Sequence, residues 1–160
     1  MNTDSPLKHK VIIAVDDEPD ILDILEEELD MCQVIKLTTH EGAVEYLANN
    51  QPDLAILDIM GVNGFDLLNR CREKNVPAVM LTAHALTVEA LKKSIDNGAR
   101  AFLPKEKLAD IVPFLEDALT TGNQESWQRL FERLGQFFNA TFGAGWHKDM
   151  IEVGAFIVPK

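Results

Sequence analysis

The chain predicts an α/β fold in which a parallel sheet is covered by helices on both faces, and three observations point to it. Short apolar runs alternate with amphipathic stretches in a regular beat of five units, the pattern of a repeated βα unit. The central runs are apolar almost throughout rather than every second residue, as strands buried on both faces are. Four of the runs end in a polar residue: Val11 to Val15 before Asp16-Asp17, Leu54 to Leu57 before Asp58, Ala78 to Leu81 before Thr82, and Ala101 to Leu103 before Pro104-Lys105. In an open parallel sheet ligands bind beyond the carboxyl ends of the strands, so these residues should meet at one crevice.

The elements follow in order. After the first strand, Pro19 suits the first turn of a helix, and Ile21, Leu22, Leu25 and Leu29 recur at helical spacing through Asp30. Gln33 to Leu37 reads as the second strand, and a helix follows from about Glu41 to Asn49. Pro52-Asp53 resets the chain for the third strand. The third helix starts near Gly64, buries Phe65, Leu68 and Cys71, and stops before Val76-Pro77. Beyond the fourth strand a helix runs from Val88 to Asn97, where Asn97-Gly98 supplies the left-handed stop that helix ends favour. The fifth helix, Leu108 to Thr121, carries Ile111, Val112, Leu115 and Leu119 on one stripe.

Past Gly122 the composition changes, with seven of the eleven aromatic residues in the last 39. Trp127, Leu130, Phe131, Leu134, Phe137, Phe138 and Thr141 or Phe142 fall on one helical face opposite Gln128, Glu132, Arg133 and Gln136. Six such side chains left in water would forgo on the order of 10 kcal/mol, so the face must be covered. Packing on the chain's own helices is the simpler account, and a homodimer through the tail or an output contact is the other. Trp146, Met150, Ile151, Val153, Phe156, Ile157 and Val158 either fold back on the same core or begin a longer element. The expected division is a flexible segment 1–8, a domain 9–121 and an amphipathic helical extension 122–160.

The 160 residues, 46% apolar, suffice for one full core but not for two ordinary domains. The net charge of −11 arises within residues 1–121, where 22 acidic residues face 11 basic ones. So acidic a surface, with no basic stripe, argues against nucleic-acid binding and suits small cations and basic partner surfaces. The start of the chain lacks a signal-peptide pattern and no run has the length of a membrane span, so a cytoplasmic location is expected. Cys32 and Cys71 lack metal or redox spacing and read as structural thiols. Asn139-Ala140-Thr141 fits a glycosylation acceptor by pattern only. His9, His40 and His147 share no ligand spacing and are expected at the surface.

Carboxylates at Asp16, Asp17 and Asp58 concentrate like charge that a hard divalent ion, Mg²⁺ above all, would neutralise while keeping waters and accepting a phosphate oxygen. Lys105 adds a compact positive charge, and a carboxylate such as Asp58 can act as a nucleophile to give an acyl phosphate. Catalysis then consists of positioning and of spreading charge over metal, ammonium and hydroxyl.

In this order, Asp16-Asp17, Asp58, Thr82-Ala83 and Pro104-Lys105 closely resemble the receiver domain of bacterial two-component response regulators, over about residues 9 to 121. The resemblance implies a CheY-like, flavodoxin-like sheet of strand order 2-1-3-4-5 and Mg-dependent phosphorylation of Asp58 by a sensor histidine kinase or histidine phosphotransfer protein. It implies that Asp17 binds Mg²⁺ directly, Asp16 mainly through water, and that Asp58 and the Met60 carbonyl complete the ligands. Thr82 would be the switch hydroxyl, and Phe102, three residues before Lys105, would turn inward after phosphorylation. Helix four, strand five and helix five would then present a changed surface to an unknown downstream protein, without a DNA-binding domain and without enzymatic activity beyond self-phosphorylation and slow autodephosphorylation.

The loop Asp58-Ile-Met-Gly-Val-Asn-Gly64 departs from the family pattern, being shorter and lacking its proline, and Gly61 and Gly64 are candidates for the tight turn instead. Met60 and His84 would flank the site and tune phosphoryl lifetime. Other readings remain beside this one: a receiver-like docking module that needs no phosphorylation, and an aspartate-nucleophile phosphatase, against which Ile59 and Met60 stand where a second Asp is expected. A flavodoxin-like FMN binder ranks last, because Asp16-Asp17-Glu18 would repel a phosphate.

Overall fold

The computed structural model describes residues 5–83 and 87–143. The elements are β1 (Val11–Val15), α1 (Pro19–Glu28), β2 (Gln33–Leu37), α2 (His40–Asn49), β3 (Leu54–Asp58), α3 (Gly64–Glu73), β4 (Ala78–Thr82), α4 (Val88–Asp96), β5 (Ala101–Pro104), a 3-10 helix (Lys105–Asp110), α5 (Ile111–Thr120) and α6 (Asn123–Phe142). The five strands form one parallel sheet in the order β2-β1-β3-β4-β5. A crossover helix stands between each pair of successive strands, as a parallel sheet requires.

Burial follows position in the sheet. β3 and β4 are buried at every residue, whereas β2, on the edge, is half-exposed along its length. Thr39 and Thr87 start α2 and α4 by accepting the backbone N–H of Gly42 and Ala90, each at 3.0 Å. Pro19 opens α1, where its missing N–H costs no helical bond. The free cysteines sit in this packing: burial pushes the Cys71 thiol up to about 12, and burial and then the Asp30 charge push Cys32 up to about 11.

Several expectations are corrected. The helix expected from Leu108 is a 3-10 helix through Asp110, and α5 begins only at Ile111. Pro113 explains the break, since it has no N–H to continue an α-helical ladder back into the preceding turn. Residues 5–8, expected to be flexible, fold onto the domain: Leu7 is fully buried and Ser5 Oγ donates to Glu116 on α5 at 2.7 Å. In α3 the buried face is Leu67, Leu68 and Cys71, while Phe65 is half-buried beneath Lys93, whose Nζ stands 4.4 Å from its ring centre. His40 is not a free surface residue, because its Nε2 lies 2.6 Å from Asp66 Oδ2, which Arg70 also contacts at 2.8 Å.

The aromatic stripe packs within the chain. Trp127, Leu130, Phe131, Leu134 and Phe138 of α6 are buried against α5 and β5. Trp127 Nε1 donates to the Ala99 carbonyl at 2.7 Å, and Arg129 and Arg133 both reach Asp117 of α5. His84 and His147, and the segment from Trp146 to Val158 whose packing the sequence left open, lie outside the described residues. No helix among the described residues is long and apolar enough to cross a membrane.

Candidate functional site

The carboxyl ends of β1, β3, β4 and β5 bring the acidic, hydroxyl and ammonium groups to one edge of the sheet. Asp58 is the last residue of β3 and pairs in register with Leu81, one residue before Thr82. Thr82 in turn pairs with Pro104, one residue before Lys105. Asp16 follows β1, and its backbone N–H donates to Leu37 O at 3.0 Å, which fixes where the acidic run leaves the sheet.

Lys105 is the centre of this arrangement. Its Nζ lies 2.9 Å from Asp16 Oδ2, 2.9 Å from Glu18 Oε1 and 3.2 Å from Asp58 Oδ1. Burial disfavours its charge, but the Asp16 and Glu18 carboxylates, with Asp58 beyond them, outweigh that and raise its pKa above the ordinary lysine value. Asp16 behaves the other way: burial raises its carboxyl above the usual range, more than Lys105 and the Glu18 N–H lower it. Asp16 Oδ1 accepts the Glu18 N–H at 2.9 Å. Asp16 Oδ2, 2.9 Å from the Lys105 ammonium, is a buried oxygen with no hydrogen-bond partner assigned among the described residues.

The loop after β3 holds Asp58 from the other side. The Gly61 N–H donates to Asp58 Oδ2 at 2.9 Å, and the Gly64 N–H closes the turn on Ile59 O at 3.0 Å. Sequence reasoning gave the tight backbone to the two glycines, but the left-handed residue is Asn63, at φ 53, directly before α3. The glycines serve by lacking a Cβ. One on Gly64 would run into the Asp58 carbonyl, and one on Gly61 would run into the Asp17 carboxylate. Met60, between them, is 81% exposed.

Asp16, Asp17 and Glu18 each offer a carboxylate oxygen within 4.8 Å of the others. Asp58 joins them by sharing the Lys105 ammonium. All-oxygen donors, an orphaned buried carboxylate oxygen and a glycine that leaves room for Asp17 fit a hard divalent cation. Glu18 was missed as a member of the site, although the uninterrupted Asp-Asp-Glu run before Pro19 was its signal. A cleft of about 410 Å³ opens beside it, lined by Glu18, Ile21, Ala83, Lys105 and Glu106. Phe102, expected to turn inward after phosphorylation, is fully buried.

Known proteins are similar to this chain in sequence and in fold. The heme response regulator HssR of Staphylococcus haemolyticus is 38% identical over 76 residues, 44% of this chain and 34% of that protein. The probable transcriptional regulator ycf27 of Guillardia theta is 35% identical over 120 residues, 69% of this chain and 47% of that protein. The chain therefore spans less than half the length of either relative. Among solved structures, the receiver domain of NtrX from Brucella abortus superposes with a TM-score of 0.62 at 28% identity, over 69% of this chain and 99% of that one. A response regulator from Thermotoga maritima, at 19% identity and a TM-score of 0.64 over 71% of this chain and 99% of that one, shares the fold. Residues 12–115 match the family model described as the response regulator receiver domain, and with the strand-end acids, threonine and lysine meeting at one edge of a 2-1-3-4-5 sheet, the chain belongs to that family.

Proposed function

We propose that this chain is the phosphoacceptor of a two-component phosphorelay and that Asp58 receives the phosphoryl group. The observation that carries this is the triple contact of Lys105 with Asp16, Glu18 and the buried Asp58, which sets a nucleophilic carboxylate beside a fixed cation at the mouth of the sheet. The donor is a phosphohistidine of a sensor kinase or phosphotransfer protein. An ionised Asp58 oxygen forms the new P–O bond while the P–N bond breaks and leaves its electron pair on the imidazole, so no proton need be removed from the nucleophile.

Each neighbour then has a task. The Gly61 N–H holds Asp58 Oδ2 and so fixes the plane of the attacking carboxylate. Lys105 and the Thr82 hydroxyl, from adjacent strand ends, face the charge that gathers on the transferred oxygens. Asp16, Asp17 and Asp58, with the Met60 carbonyl, would hold Mg²⁺, which when bound supplies a positive charge that shields the acids and draws the phosphoryl group in. Residues 9–121 serve as the receiver and 122–160 as an extension, with helices α4 and α5 and strand β5 as the output face in a cytoplasmic relay.

A second reading, a docking module that needs no phosphoryl group, is favoured by one observation: Phe102 is already buried. Intact mass after incubation with acetyl phosphate and Mg²⁺ separates the two. One phosphoryl addition that requires Mg²⁺ and is lost in Asp58→Asn supports the phosphoacceptor. No addition to the folded wild type overturns it and leaves the docking module.

A further inference from the structure

The family match ends at Leu115, inside α5, yet the chain continues into a 20-residue helix laid along the edge of the domain. β5 is the last strand of the sheet, and such an edge is a ready template for association. Here α6 occupies it. Ser126 Oγ donates to Arg100 O at 2.8 Å and Trp127 Nε1 to Ala99 O at 2.7 Å, so two side chains of α6 satisfy carbonyls where β5 begins. Further along, Lys107, past the end of β5, sets its ammonium 5.5 Å from the Phe137 ring.

The contact with α5 is equally specific. Asp117 is 7% exposed and accepts from Arg129 at 3.2 Å and Arg133 at 3.1 Å, one arginine on each carboxylate oxygen. The Arg133 guanidinium also lies 5.7 Å from the Phe114 ring centre. The start of β5 and α5 thus offer two backbone acceptors, an aromatic ring and one carboxylate to a helix bearing a tryptophan and, two and six residues on, a pair of arginines. Only Thr121 and Gly122 join α5 to α6, and a side chain at Gly122 would meet nothing within 4 Å. The cover is joined to α5 by these two residues alone, with the Thr121 carbonyl accepting from Arg100 at 2.7 Å.

We propose that the β5–α5 face is a docking surface for an amphipathic helix of a partner protein that presents an aromatic anchor and paired basic residues, and that α6 holds this surface closed in cis. This deepens, and rests on, the reading of that face as the output surface. The acidity of residues 1–121 favours a basic partner helix in the same sense as Asp117 does. A partner must displace α6 to bind, so the cis contact sets a threshold on output.

The test titrates a fluorescent peptide of residues 123–143 into the full-length chain, with amide exchange followed in parallel. In R129E/R133E the reversed charges face Asp117 and should free α6. The expected result is peptide binding at least tenfold tighter than to wild type, with faster exchange in α6 and unchanged exchange in the sheet. Adding D117K should re-seat the chain's own helix and return peptide binding to the wild-type level. Equal binding to wild type and to R129E/R133E overturns the cover, as does α6 exchange that stays slow. A dimer of R129E/R133E that takes up no peptide overturns the choice of a foreign helix, a second copy being the occupant. If R129E/R133E loses the sheet's protection, Arg133→Ala is read by the same criteria. None of these outcomes depends on phosphorylation, so failure here leaves the Asp58 mass measurement standing.

Discussion

The two glycines after Asp58 should respond to alanine differently, Gly64 in stability and Gly61 in cation binding. At Gly64 the new Cβ would collide with the Asp58 carbonyl oxygen and stand 2.9 Å from Ile59 Cα, both main-chain neighbours that cannot rotate aside. Overpacking of this kind costs about 1–3 kcal/mol, and alanine's better helix propensity at the start of α3 returns at most about 1. Gly64→Ala should therefore lose about 1–2 kcal/mol, or roughly 2–8 °C in Tm for a domain of this size. At Gly61 the Cβ meets only the carboxylate of the exposed Asp17, which can turn away. An off-rotamer side chain costs about 0.5–1.5 kcal/mol, nearly offset by the roughly 0.4–1 kcal/mol gained from a stiffer unfolded chain.

Gly61→Ala should thus melt like wild type while its Asp17 no longer lies where a cation would be held. The Mg²⁺ concentration for half-maximal phosphorylation by acetyl phosphate should rise about tenfold, equivalent to about 1.4 kcal/mol of cation binding. Urea unfolding and intact mass across a Mg²⁺ series measure both properties. Gly61→Ala that is as destabilised as Gly64→Ala, or that keeps the wild-type Mg²⁺ requirement, would refute the assignment of Asp17 to the cation.

Trp127→Phe leaves the Ala99 carbonyl without its donor and should lower stability by about 1–3 kcal/mol in urea, and a smaller loss would mean that water replaces the indole. Arg70, and next His40, hold the Asp66 carboxyl below its usual range, so its contribution is present above the unfolded pKa of about 3.9 and is lost as pH falls through the lower folded value. Asp66→Asn should accordingly flatten the fall in urea midpoint on acidification, and a curve parallel to wild type would remove the pair from the account. Asp16 has the opposite sign: its raised folded pKa means that the ionised form opposes folding above that pKa. Asp16→Asn, which keeps an acceptor for the Glu18 N–H, should be more stable than wild type at pH 7 and not at pH 3, while phosphorylating poorly; lower stability at pH 7 would contradict this.

The sheet was legible because burial on both faces leaves an apolar run that ends where the charge begins. β1 and β2 have the expected bounds, while β3, β4 and β5 each run one residue further, into Asp58, Thr82 and Pro104. An apolar pattern stops at the last apolar residue, but the ladder does not, as the bond from Ile59 N to Leu81 O shows. The strand-end constellation was legible for the same reason. Glu18 as a partner of Lys105 and Leu7 in the core were not, since each depends on a contact between distant segments. The stripe of α6 announced that a face had to be covered, and packing on the chain's own helices, the simpler account, is what the structure shows. The ion pairs of Asp117 with Arg129 and Arg133, between α5 and α6, had no signal in the apolar stripe of α5.

The acidic site and the covering helix are joined by a short physical route. Three carboxylates, Asp16, Glu18 and Asp58, share the Lys105 ammonium, and phosphorylation of Asp58 would exchange a singly charged group for one nearer two charges. Lys105 must take up that change, and it is the first residue of the 3-10 helix whose Lys107 rests on Phe137 of α6. Adjacency alone does not make coupling, which needs a demonstrated non-additive response. A double-mutant cycle on α6 amide exchange, with Asp58→Asn and Lys107→Ala under acetyl phosphate and Mg²⁺, supplies it. If Lys107 transmits the change, phosphorylation loosens α6 in wild type and much less in Lys107→Ala, giving an interaction energy above about 0.5 kcal/mol. Strictly additive effects would confine Lys107 to packing and leave the site and its cover independent.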